Sequence, residues 1–208
     1  MAVRPLFSDR PIAALFVDGN GPYRDIPGVE VWDQARDARR YDGPYPAVAH
    51  PPCPRWGKLW RGSPANIRDF GGFRKGDDGG CFESALASVR RVGGVLEHPA
   101  FSGAWETYGL TRPVTGGVWT PADYPEYDGW TCYIEQGAYG HYGIKPTWLY
   151  AVGCDLPTLK WGATPIPYPP DRTLSCRGGG GSGNKVRIHT PPKFQQVLID
   201  MARSVYGS

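Results

Sequence analysis

The stretch "AVAHPPCPRWG", residues 47–57, sets one thiol among prolines just after a short apolar run. Pro51, Pro52 and Pro54 fix backbone angles on both sides of Cys53 and remove amide donors, so the thiol is held in a defined direction. That rigidity suits a nucleophile; the plainer alternative is a small apolar cysteine buried in a proline-rich turn. A second stretch, "VLEHP" at 95–99, closes another apolar run with the carboxylate of Glu97. A thiolate to attack carbon and a carboxyl to hold a proton on a ring nitrogen make a kit for activating a pyrimidine. His50 and His98 stand close to the pair in sequence. Either can tune the thiol, contact phosphate or serve as a hydrogen-bonded structural ring.

These residues need elements to position them. Residues 11–19, 28–33 and 45–53 read as three strands, each a short apolar run ended by turn residues, by an acid or by the thiol. About 24 residues from Pro54 to Asp77 have no clear period, and a loop that long is usually functional. Asp77 or Asp78 can cap a helix with Phe82, Ala85, Leu86 and Val89 on one face and Gly93 as its stop. Residues 94–99 form a further strand, and strand, loop, helix, strand is the pattern of a βαβ unit in a parallel sheet. Cys53 and Glu97 would then stand at the carboxyl ends of two parallel strands, where open α/β sheets bind ligands.

Two more strands, possible partners in a hairpin, cover "WTCYIEQGAYG" and "KPTWLYAVG". Residues 155–190 read as an insertion, either irregular or a small DNA-contacting one. A last helix runs through "TPPKFQQVLIDMARSV", with Thr190 as cap, Pro191 first and an apolar face from Phe194 to Val205. The expectation is one α/β domain, a Rossmann-like, mostly parallel sheet.

A strand ending in Pro-Pro-Cys, a long loop and helix, then a strand ending in Glu-His-Pro resembles the cytosine-5 DNA methyltransferases. The resemblance covers roughly residues 11–150. It implies that Cys53 adds to C6 of a flipped-out cytosine, while Glu97 contacts the ring nitrogen and C5 takes a methyl group from S-adenosylmethionine. "YIEQGAYGHYGIKPTWLYA" is similar to the family segment that supports the active site, which carries Gln136 and Lys145 over as substrate contacts. With them, Pro52, Arg55, Trp56 and His98 are expected to line the substrate. The cofactor would fall to Asp18, Gly19, Gly21 and Asp33, at the ends of the first two strands. Only about ten residues separate those strands, too few for a full helical crossover. The fold is therefore expected to be trimmed at this cofactor half.

Composition narrows the partners. Net charge is only +3, but Arg55, Lys58, Arg61, Arg68, Arg74 and Lys75 follow the thiol, and Arg172, Arg177, Lys185, Arg187 and Lys193 flank a glycine-rich run at 177–183. Both clusters lean toward phosphate contact, with Trp56 and Trp60 as candidates for stacking on an exposed base. The expected partner is DNA with a flipped-out or single-stranded pyrimidine. No apolar run reaches about 18 residues and residues 1–11 lack the apolar core of a secretory signal, which suggests an intracellular protein without a membrane partner. Five cysteines, an odd number, fit a reducing compartment. Cys132, His141, Cys154, Cys176 and His189 lack zinc-ligand spacing. Two alternatives to methyl transfer stay open: a cofactor-independent relative that processes an already modified pyrimidine, as in a phage or mobile-element system by analogy, and a non-catalytic DNA-binding or inhibitor protein.

Overall fold

A computed structural model describes residues 10–162, 166 and 189–207. The second basic cluster apart from Lys193, the glycine-rich run, Cys176 and most of the irregular stretch 155–190 lie outside the described residues.

The strands are β1 (Ile12–Leu15), β2 (Val29–Trp32), β3 (Ala47–Ala49), β4 (Gly94–Pro99), β5 (Thr120–Pro121), β6 (Trp130–Glu135) and β7 (Pro146–Val152). The helices are α1 (Pro64–Phe70), α2 (Cys81–Val92), α3 (Gly103–Thr107) and α4 (Pro192–Ser204). The strands form one seven-stranded sheet in the order β2-β1-β3-β4-β7-β6-β5. β1 pairs in parallel with β2 and β3, and β3 with β4. The pairs β4–β7, β6–β7 and β5–β6 are antiparallel. The class is α/β as expected, but the sheet is evenly mixed rather than mostly parallel: only residues 136–145 join β6 to β7, too few for the crossover that a parallel pair needs.

Burial explains why these short runs become strands. Ile12 and Ala14 face one core with Val48, Val95, Leu149 and α4, while Ala13 and Leu15 face the other with Ala49, Leu96, Trp105 and α2. Covered on both faces, β1 has no place for a polar residue, which is why it reads as a continuous apolar run. Gly94 opens β4 so close to β3 that a Cβ there would stand 2.0 Å from the Ala47 carbonyl oxygen.

The cap of α2 comes from Asp78, whose carboxylate accepts from the amides of Gly80, Cys81 and Phe82 at 3.0, 3.2 and 2.9 Å. Helix α4 begins one residue later than the sequence suggests, with Pro191 rather than Thr190 at its N-cap, because Pro192 already supplies the fixed angle of a first helical position. The connection from β1 to β2 is a series of turns without a helix.

The Pro54–Asp77 segment is folded. It contains α1, an exposed helix that opens on a capping box between Ser63 and Asn66 and stops at Gly71. With no buried face, α1 has no hydrophobic period to read. Its signal was the Ser63-Pro64 opening and the Gly71-Gly72 stop.

Candidate active site

Ala49 and Leu96 are the last parallel partners of β3 and β4. The residues that follow on the two strands are His50 and Glu97, and they meet: His50 Nδ1 lies 2.9 Å from Glu97 Oε2. On the far side of the imidazole, Nε2 lies 2.8 Å from the hydroxyl of Tyr23, which the β1–β2 connection turns inward. On the far side of the carboxylate, Gln136 donates through Nε2 to Glu97 Oε1 at 2.9 Å and to Thr147 Oγ1 at 3.0 Å. Thr147 donates to the Lys145 carbonyl at 3.1 Å. Five side chains from the β1–β2 loop, β3, β4, the turn after β6 and β7 thus form one hydrogen-bonded chain centred on Glu97.

Cys53 lies beyond β3 in a turn closed by the Trp56 amide donating to the Cys53 carbonyl at 3.0 Å. Its sulfur is partly buried and unbonded to another cysteine. Burial, then the Glu97 charge, pushes the thiol above its ordinary 9.0, with Lys145 pulling the other way. The resting thiol keeps its proton at neutral pH. Burial pulls Lys145 below its ordinary range, while Glu97 and Cys53 favour its charge. Glu97, although buried, is held down at about 2: burial alone would raise it, but the His50 hydrogen bond and the Lys145 charge outweigh that cost. Cys53, Glu97 and Lys145 are therefore one electrostatic group.

The arrangement separates chemistries. With both imidazole nitrogens engaged by Glu97 and Tyr23, His50 is not the base of a Cys–His hydrolytic pair with Cys53. Among the described residues no group of three His, Cys, Asp or Glu could hold a metal ion.

Several expected residues take other parts. Trp56 is a core residue at 4% exposure, against Phe82 and Tyr108, and its indole donates to Asp78 at 2.8 Å. It anchors the long loop rather than presenting a face to a base, because the apolar ring gains more from the α2 core than from solvent. His98 is buried completely between Phe82 and Trp105, so it does not line a substrate surface either. The Pro52 carbonyl favours a proton on this ring, yet neither nitrogen makes a hydrogen bond of full geometry. Burial pushes His98 down to about 4, so it is neutral near pH 7. An unfolded ring protonates below its ordinary 6.5 while the folded one resists to about 4, so stability falls as pH drops through that window. A His98→Phe variant is expected to flatten this slope in thermal unfolding measured from pH 7 to 4. Gln136 is fully buried and acts on Glu97. Pro52 is exposed beside the thiol, and the Arg55 guanidinium stacks 3.4 Å over the Phe73 ring.

The four residues assigned to the cofactor do converge at the carboxyl ends of β1 and β2. A Cβ on Gly19 would stand 2.2 Å from Asp33 Oδ2, and one on Gly21 2.9 Å from the Asp18 carbonyl oxygen. Their polar atoms serve the local turns: Asp33 Oδ1 accepts from the Arg36 amide at 2.9 Å and Asp18 Oδ1 from the Asn20 amide at 3.0 Å. No helix N-terminus follows β1, and the Tyr23 ring in this connection packs against His50 at the end of β3. Among the described residues this does not fit a preformed cradle for S-adenosylmethionine.

Tyr23 and Thr147 were not legible as site residues. Tyr23 lies in "GNGPYRD", where the turn signals hide an inward-facing ring. No family model, curated protein or solved structure matches the chain.

Proposed function

We propose that the protein modifies a pyrimidine base in DNA, with Cys53 adding to C6 and Glu97 handling the proton of the ring nitrogen. One observation carries this reading: the carboxyl ends of two adjacent parallel strands hold Glu97 in a buried hydrogen-bonded frame, in electrostatic reach of a proline-braced thiol. The base has to leave the stack first, because C6 is out of reach in a duplex. The addition itself needs no cofactor. Methyl transfer to C5 is what the resemblance to cytosine-5 DNA methyltransferases implies; a cofactor-independent change at C5 accords better with the turn-filled ends of β1 and β2. Incubating an oligonucleotide with the protein, with and without S-adenosylmethionine, and weighing its nucleosides after digestion tests the reading. A pyrimidine of altered mass supports it, and its dependence on S-adenosylmethionine decides between the two versions.

The loop after the thiol supplies the means of holding a strand. Lys58, Arg61, Arg74 and Lys75 are exposed, and beside them stand Leu59 and Phe70 at 83% and 81% exposure. Cations interleaved with apolar side chains suit a phosphate backbone with unstacked bases. The triple variant Lys58→Ala, Arg61→Ala, Arg74→Ala is expected to weaken single-stranded DNA binding and to lower the slope of log affinity against log salt by about 2. Fluorescence anisotropy across a salt series reads that slope; an unchanged slope removes the loop from the interface.

A further inference from the structure

We propose that Tyr23 and His50 form a positioning dyad that keeps Glu97 as the carboxylate that receives the Cys53 thiol proton and passes it to the pyrimidine ring nitrogen. The inference deepens the pyrimidine reading above and rests on it.

An ionised carboxylate only accepts, so the 2.9 Å contact requires a hydrogen on His50 Nδ1. Whenever the ring is neutral, Nε2 is then an acceptor and the Tyr23 hydroxyl at 2.8 Å is placed to donate to it. Tyr23, buried at 3% exposure, thus fixes the tautomer and orientation of His50, as a partner on the far nitrogen commonly does for a working histidine. Without the hydroxyl, the ring could present its Nδ1 lone pair to the carboxylate, which would repel.

The groups around Glu97 leave few other candidates for this work. From the end of β3 comes His50, from the following turn Cys53, from its own strand His98, from beyond β6 Gln136, from β7 Thr147, and from just before β7 Lys145, whose Nζ donates to the His189 carbonyl at 2.8 Å. His98 is neutral and enclosed by aromatic rings. Gln136 and Thr147 do not titrate. Each carboxylate oxygen has two lone-pair directions, so the bonds from His50 and Gln136 leave one on each oxygen for an incoming proton.

The addition then balances without any other reactant. The Cys53 S–H bond breaks as Glu97 takes the proton, and the sulfur pair forms the S–C6 bond. The C5=C6 pair moves between C4 and C5, and the C4=N3 pair moves onto N3, which takes the proton from Glu97. Glu97 is again a carboxylate held by His50, and C5 is an enamine carbon ready for an electrophile. Thiol and base start neutral and the adduct is neutral, which suits a thiol that rests protonated.

The test compares wild type, Tyr23→Phe, His50→Ala and His50→Asn, whose amide can replace the Nδ1 donor. Two readouts are used. The first is the ¹³C-carboxyl NMR titration of Glu97, which needs no substrate. The second is the pH profile of adduct formation with a 5-fluorocytosine oligonucleotide. Loss of the donor in His50→Ala is expected to move the Glu97 titration and the acid limb of the profile up together, by about one pH unit or more, with His50→Asn restoring most of the shift. Tyr23→Phe should shift both in the same direction by less. If His50→Ala does not fold, His50→Asn and Tyr23→Phe carry the comparison against wild type. A titration unmoved in the folded variants overturns the dyad, even where wild type forms the adduct. A titration that moves as expected while wild type forms no adduct keeps the frame around Glu97 but rejects the pyrimidine chemistry, and the proton-transfer role with it.

Discussion

Cys53→Ser is expected to abolish base modification while leaving the protein folded. Serine keeps the shape of the turn, and its amide and carbonyl keep the 3.0 Å bond from Trp56 that closes it. The hydroxyl, however, holds its proton far more tightly than a thiol: the Glu97 carboxylate that takes the thiol proton is too weak a base for an alcohol, and His50 is committed to Glu97 and Tyr23. Nucleoside mass spectrometry after digestion should return only unmodified pyrimidine. Unfolding free energy should change by no more than about 1 kcal/mol, because a partly buried sulfur carries little of the core. Substantial modification by the serine variant would move the nucleophile to another residue.

The second large effect is expected at Glu97. Glu97→Gln keeps the size of the side chain but removes the proton carrier, so adduct formation should slow by about 10²–10⁴-fold, the usual yield of a positioned acid or base. The amide also meets two donors, His50 Nδ1 and Gln136 Nε2, and can accept from only one of them. A loss of stability should therefore accompany the loss of rate. Glu97→Asp separates the two: it restores the charge but withdraws it from Cys53, so stability should recover in part while the rate stays low. Stopped single-turnover reactions at fixed pH, set beside denaturant unfolding of the same variants, measure both quantities. A Glu97→Gln enzyme of wild-type rate would leave the carboxylate a structural role only.

Much of the fold was legible because its signals are local. The buried runs of β1 and β4, the apolar face of α2 and its stop at Gly93 follow from residue type and spacing alone. The pairing of β6 with β7 as a hairpin was legible, but the insertion of β7 between β4 and β6 was not, since a strand's own sequence does not state its neighbours. Helix α1 was missed because it buries nothing. At the site, the prolines around Cys53 and the strand-end position of Glu97 named the two central residues. The frame that works on Glu97 was named only in part: His50 and Gln136 were noted, Tyr23 and Thr147 were not. Those contacts join residues up to 47 positions apart, as between His50 and Glu97, so only the folded sheet brings them together. Trp56 and His98 were assigned to substrate because an aromatic or a histidine near a nucleophile looks functional, whereas in the fold the α2 core takes both.

The most direct test of the central claim is the intact mass of the protein after incubation with 5-fluorocytosine oligonucleotides, single- and double-stranded, with and without S-adenosylmethionine. The expected result is a mass increase of one oligonucleotide, mapped to the peptide that holds Cys53 and absent from Cys53→Ser. An adduct that requires S-adenosylmethionine establishes methyl transfer; one that forms without it establishes a cofactor-independent addition. No adduct under any condition, from protein that still binds the oligonucleotide, would contradict the account and leave a non-catalytic DNA-binding protein in its place.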